Sequence, residues 1–166
     1  MGVGDSGIAV VGEREAGKST LMAAAAISGL SVYADDVVVV DAGRAYCGPR
    51  SLDLRRGTTD HLEGLSVEPA REGTRDRALL RPVPWSVGLK AIVVLKWGES
   101  LTIEAIPASR RLFELQGHLA CDPAPNSRQR ILALAAIPAF VLRRQKEFAH
   151  LPLTVTALLS LIQWDL

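Results

Sequence analysis

The run GIAVVGEREAGKSTLMAAAAIS, residues 7 to 28, constrains the fold more tightly than any other part of the chain. Gly7 to Val11 is short and apolar, as a buried strand is, and Lys18 to Ser28 is rich in Ala, Leu and Met, which favour helix. Gly29 predicts the helix stop. A strand passing through a glycine-bounded loop straight into a helix belongs to layered α/β folds, because both elements need cover from further ones. The strand begins almost at the first residue, so its neighbours in the sheet must come from later in the chain or from a partner subunit.

The connecting loop reads Gly12, Glu13, Arg14, Glu15, Ala16, Gly17, Lys18, Ser19, Thr20 and fits the pattern G-x-x-x-x-G-K-[ST]. Each fixed position answers a need of a phosphate site. Gly17 lets the backbone pass close to a ligand, the first amides of the helix point at an anion, and Lys18 brings a point charge to terminal phosphates. Ser19 puts a hydroxyl on Mg2+, ahead of Thr20 by register. The whole loop from 12 to 20 is therefore a candidate nucleotide contact, with Arg14 either touching phosphate or pairing with Glu13 or Glu15. The plain alternative is a glycine-rich turn entering a helix.

Downstream, LSVYADDVVVVDAG (residues 30 to 43) sets two adjacent aspartates between apolar runs. The pattern predicts one strand ending near Ala34 and another through Val37 to Val40, the latter a centre strand covered on both faces. Carboxylates at strand ends face the nucleotide loop in open α/β sheets, and phosphoryl transfer needs Mg2+ and a group that positions the attacking nucleophile. In an extended chain the side chains of Asp35 and Asp36 diverge, so one can serve an acceptor hydroxyl while the other faces the metal. Hydrated aspartates capping a turn are the bland alternative, and Asp41 reads equally well as a polar strand exit.

The remaining chain is read more coarsely. SLDL at 51 to 54 predicts a short strand, and much of 56 to 82 predicts a mobile loop, within which 68 to 81 is either a substrate-ordering flap or a solvated stretch. LKAIVVLKW (89 to 97) and Ser100 to Ala105 predict two strands joined as a hairpin. A helix follows from Pro107 to about His118, a linker at 122 to 127, a helix from Arg128 to Ala136, a strand at AFVLRR and a last helix from Leu153 to Ile162. Arg143, Arg144 and Lys146 form a basic patch that either attracts an anion or keeps an exposed strand edge soluble. His61 defaults to a hydrated or structural histidine, and the three scattered tryptophans to packing.

Composition bounds the partners. Lys and Arg total 19 against 18 Asp and Glu, a net charge of +1, which gives no field that recommends nucleic acid. Cys47 and Cys121 lie far apart, outside any metal-ligand spacing, so neither a disulfide scaffold nor a structural zinc is expected. The apolar runs are too short for a bilayer and the start lacks the pattern of a signal peptide, so the expectation is a cytoplasmic protein without a membrane partner.

At GEREAGKST followed by YADDVVVVD the chain resembles the HPr kinase/phosphorylase superfamily, especially its small HPr-kinase-like members associated with lasso-peptide tailoring. CGPRSLDLR, LKAIVVLKWG and IPAFVLRR are similar to further pieces of that group, so the resemblance runs through nearly the whole chain. It implies a single P-loop kinase-like α/β domain over 1–166, with a core related to phosphoenolpyruvate carboxykinase and a mixed sheet with flanking helices. The implied activity is transfer of phosphate from ATP, with Mg2+, to a serine hydroxyl of a peptide or small protein. Lys18 becomes a phosphate ligand, Ser19 a metal ligand, Asp35 the general base and Asp36 the metal or hydroxyl-positioning carboxylate. Arg55, in the family-like SLDLR piece, becomes a candidate for binding phosphate or an acidic peptide group, with a surface ion pair as its ordinary alternative.

Three departures keep other readings in play. Arg14 and Glu15 stand where loops of that family often carry small residues, and no copy of the glycine-containing signature of bifunctional members follows, which argues against reverse phosphorylase activity. Little sequence precedes the loop. The alternatives are a catalytically inactive nucleotide-binding accessory protein and a P-loop NTPase acting with a partner, and a homo-oligomer is one way of completing the site.

Overall fold

From Ala91 to Leu95 every side chain is buried, on both faces of the strand that carries them. Such a strand needs partners on both edges and apolar layers above and below. The computed structural model, which describes residues 1–69, 73–120 and 128–164, supplies all four. Its strands are β1 (Gly2–Val3), β2 (Ser6–Val11), β3 (Val40–Asp41), β4 (Arg44–Tyr46), β5 (Ser51–Arg55), β6 (Val67–Pro69), β7 (Arg75–Leu79), β8 (Ser86–Trp97), β9 (Thr102–Ala105) and β10 (Ala139–Arg144). The helices are α1 (Lys18–Ile27), α2 (Ala108–Gln116), α3 (Arg128–Ala136) and α4 (Leu151–Gln163).

The main sheet is mixed and runs β1-β2-β8-β10-β9. β2, β8 and β10 lie parallel, while β1 and β9 pair antiparallel at the ends. The first residues of β8 also hold β4, which in turn holds β3. A second, antiparallel sheet has the order β5-β7-β6. This is an α/β fold with a mixed sheet and flanking helices, and among the described residues no helix is long and apolar enough to cross a membrane.

Alternation along the strands sorts the core into two layers. On one face Ile8, Val93, Leu95, Phe140 and Leu142 pack with α1 and α4, and Leu52 and Leu54 of the second sheet join the same cluster. On the other face Ala9, Leu89, Ile92 and Val94 meet Tyr33 and Leu115, with Val38, Val40 and Leu134 partly buried against them. Each fully buried Leu or Val contributes about 1.5–3 kcal/mol relative to exposure, so the long apolar strand β8 organises both layers.

Three expectations are corrected. Val37 to Val40 is not a centre strand: only Val40 enters a strand, and Val37 and Val39 are 55% and 61% exposed. The centre belongs to β8, and the left-handed backbone of Asp36 (φ 57°) turns the chain so that the valines run across the sheet's face. β8 and β9 do not form a hairpin, because β10 lies between them. The wholly apolar AFVL of β10 suits an interior position, whereas β9 is half exposed and suits the edge. Within 56–82, where a loop was expected, a 3-10 turn at Thr59–His61 and strands β6 and β7 are present. The expected linker at 122 to 127 and Cys121 lie outside the described residues, as do residues 70 to 72 of the supposed flap.

Candidate functional site

Parallel strands bring the carboxyl ends of β2, β8 and β10 to one end of the sheet, and the loop 12–17 leaves β2 at that end. The loop closes around its own lysine: Lys18 Nζ donates to the carbonyls of Gly12 at 2.9 Å and Glu13 at 2.7 Å. Glu15 (φ 68°) and Gly17 (φ 82°) take left-handed backbone, and Ala16 is buried. At Gly17 glycine is obligatory for a second reason, since a β-carbon there would collide with Arg144 and Trp97. No side chain caps α1 and no acid sits in its first turn, so its leading amides and the positive end of its dipole are left for an anion.

The acidic pair comes to this helix end. Ser19 Oγ donates to Asp35 Oδ1 at 3.0 Å. Arg50 holds the peptide just ahead of Asp35, donating to the carbonyls of Val32 (2.8 Å) and Tyr33 (3.2 Å) and to that of Arg81. Arg50, one of the guanidiniums flanking SLDL, is thus a backbone clamp. Burial pushes the Asp35 carboxyl above its usual range, against the lowering effect of the Ser19 hydrogen bond, and the nearby Asp36 and Asp53 charges push the same way as burial. Asp36 is exposed. The two carboxyls therefore differ in environment, one half-buried against Ser19 and one facing water.

A cavity of about 930 Å³ opens beside the loop. Gly12, Glu13, Arg14 and Lys18 line it together with Asp35 and Asp36, and the apolar face of β2 and β8 forms its floor. Arg130 reaches toward Asp41 across 3.8 Å at its rim. His118, just past α2, also lines it, and its pKa is lowered, first by burial and then by the Lys18 and Lys96 charges. A lone histidine after a helix gave no sequence signal; only the packing of α2 over the cavity reveals it.

Arg55 approaches the loop from the opposite side, on β5, and pairs with Glu15. Both side chains are well exposed, so Glu15→Gln is expected to change the unfolding free energy by only about 0–1 kcal/mol, read from the urea midpoint. Thr20 is half-buried on the first turn of α1, where Ser19, and not Thr20, makes the contact to Asp35. His61 stacks on Phe148 with ring centroids 4.2 Å apart. Arg143 pairs with Glu104 at 3.1 Å, and Arg144 is buried, so these two do not form a solvated patch on a strand edge.

Among the described residues no three of His, Cys, Asp and Glu gather closely enough to hold a metal ion by themselves. A magnesium ion asks for less, commonly one or two protein oxygens with phosphate and water completing its shell. Neighbouring ligands of an octahedral ion bound at about 2.1 Å sit roughly 3.0 Å apart, the separation of Ser19 Oγ and Asp35 Oδ1. That distance is also the length of their hydrogen bond, so what the pair offers such an ion is the right kind of atom, a hydroxyl and a carboxylate oxygen side by side. No family model, curated protein or solved structure matches this chain.

Proposed function

We propose that this chain is a kinase that transfers phosphate from ATP, with Mg2+, to a serine hydroxyl of a peptide or small protein, on a P-loop core of the HPr-kinase type. The observation that carries the reading is the 3.0 Å contact between Ser19 and Asp35 at an uncapped helix N-terminus that also bears Lys18. A helix N-terminus attracts a carboxylate whatever its function, so the contact gains its weight from standing beside Lys18 and the glycine-bounded loop.

In this reading the amides at the start of α1 bind the phosphates, and Lys18 exchanges its two carbonyl partners for phosphate oxygens. Magnesium, when bound, neutralises charge on the transferring phosphoryl group. The contact to Ser19 supports giving Asp35 the metal side, and the exposure of Asp36 supports giving it the acceptor side, the reverse of the order implied by the family resemblance. Asp36 then takes the proton of the serine hydroxyl as it attacks. Arg55 can leave Glu15 for a phosphate or an acidic group of the acceptor.

The test incubates the protein with ATP, Mg2+ and serine-containing peptides, and locates phosphate on the acceptor by mass. Lys18→Ala is expected to weaken nucleotide binding roughly 10- to 100-fold, the worth of one charge-assisted contact. A saturating nucleotide at 100 times its dissociation constant stabilises the wild type by about 2.7 kcal/mol, and roughly 1.3–2.3 kcal/mol of that shift should vanish in the variant at the same concentration. Nucleotide binding without product would favour the accessory-protein reading. Phosphate release that ignores the acceptor would favour an NTPase.

A further inference from the structure

Arg144 is 3% exposed, and its Nε has no hydrogen-bond partner. It stands at the carboxyl end of β10, on the same face as Phe140 and Leu142, and is paired in register with Trp97. Its guanidinium lies 4.4 Å from the centre of the Trp97 ring and against the Cα of Gly17, under the first turn of α1. The one hydrogen bond it makes among the described residues goes from Nη1 to the Gln145 carbonyl at 3.2 Å, and no carboxylate pairs with it there. Arg50, whose Nε is likewise unpartnered, differs in the rest of its guanidinium, which three carbonyls hold.

An unpaired charge in such a place is costly, and the Trp97 face offsets only part of that cost. Packing alone would be served better by Met or Leu, which continue the Phe140 and Leu142 row without desolvating a charge. Burial pulls the Arg144 pKa down to about 10, in keeping with a cation that lacks its counter-ion. An anion at the neighbouring, uncapped helix end would supply the missing negative charge.

We propose that Arg144 is a second cation of the phosphate site, a guanidinium held beneath Gly17 whose charge is compensated when the terminal phosphates of a nucleoside triphosphate occupy the loop. The proposal rests on the reading of that loop as a phosphate site and adds a residue outside the loop motif. It also adds to the demand for glycine at 17: beside the left-handed backbone, the arginine and Trp97 share the space that a β-carbon would enter.

Calorimetric titration with Mg2+-ATP and with inorganic pyrophosphate, on wild type, Arg144→Met, Arg144→Lys and Lys18→Ala, tests it. Arg144→Met is expected to unfold at the same temperature as the ligand-free wild type or higher, and to bind both probes at least about tenfold more weakly. Its affinity should also fall less steeply with added salt, while Arg144→Lys recovers part of the loss. Equal affinity in wild type and Arg144→Met overturns the proposal while leaving the loop reading intact. So does an Arg144→Met protein that is less stable without ligand yet binds normally once folded, since that is the mark of a packing residue. Absence of binding by the wild type sinks both, and Lys18→Ala binding as well as wild type sinks the loop reading directly.

Discussion

The substitution Asp35→Asn is expected to make the metal-free protein more stable at neutral pH and to cut acceptor phosphorylation by roughly 10²–10³-fold, the scale of a few kcal/mol of charge stabilisation. The two effects share one cause. Asp35 is half-buried, and burial raises its carboxyl pKa above the value in the unfolded chain. The folded state thus holds that proton more tightly, so its contribution to stability is present at low pH and lost as pH rises through the raised pKa. The amide of the variant has no such loss and keeps an oxygen to accept from Ser19 Oγ. Melting curves in EDTA from pH 4 to 8 should show the variant overtaking the wild type on the alkaline side. Adding Mg2+ to ATP should stabilise the wild type beyond ATP with EDTA, and the variant should lose most of that extra, metal-dependent part while keeping the response to ATP itself. A variant that melts below wild type across the range, or keeps its full response to Mg2+, would remove Asp35 from the metal side.

The substitution Asp36→Asn should behave in the opposite way. The side chain is exposed, and its backbone has a φ of 57°, a left-handed conformation that asparagine adopts as readily as aspartate. Stability and nucleotide affinity should therefore stay close to wild type. Transfer should fall by roughly 10²–10⁴-fold, the usual worth of a positioned general base. Since an exposed carboxylate leaves the fold intact when replaced, a loss confined to turnover at saturating ATP and acceptor identifies chemistry at Asp36. If Asp36→Asn turns over normally and Asp35→Asn alone is dead, the order of roles given by the family resemblance is restored. Alanine is the wrong choice here, because it would strain the left-handed backbone and blur the two effects.

Local pattern carried much of the architecture. The apolar run before Gly12, the Ala- and Leu-rich helix from Lys18 and the glycine that ends it are all set by neighbours in sequence, as are α3 and the AFVLRR strand. What failed was partner choice. Val37 to Val40 has the residues of a buried strand, yet β8 has a longer apolar run and takes the centre, leaving the valines to lie over its face. The β8–β9 turn looked like a hairpin because Gly98 and Glu99 are turn residues, but no local signal says that a strand from residue 139 onward will slide between. β7 was hidden because only Ala78 and, partly, Asp76 turn inward from an otherwise charged segment. The site shows the same division. Spacing and resemblance make Lys18, Ser19 and the acidic pair candidates, and the structure adds the Ser19–Asp35 contact, whereas the burial of Arg144 stays hidden until topology makes its strand an interior one.

That late strand has a consequence for how the protein is made. When a ribosome has delivered the loop, its helix, both aspartates and even β9, the place of β10 is still empty, so the edge of β8 is open and β9 has no strand to pair with. Edges of that kind pair readily with strands of other nascent chains. The molecule is thus most prone to sticking to its own copies after β8 has been delivered and before β10 has. A chaperone that shields the vacant slot should raise its yield more than an early supply of nucleotide would.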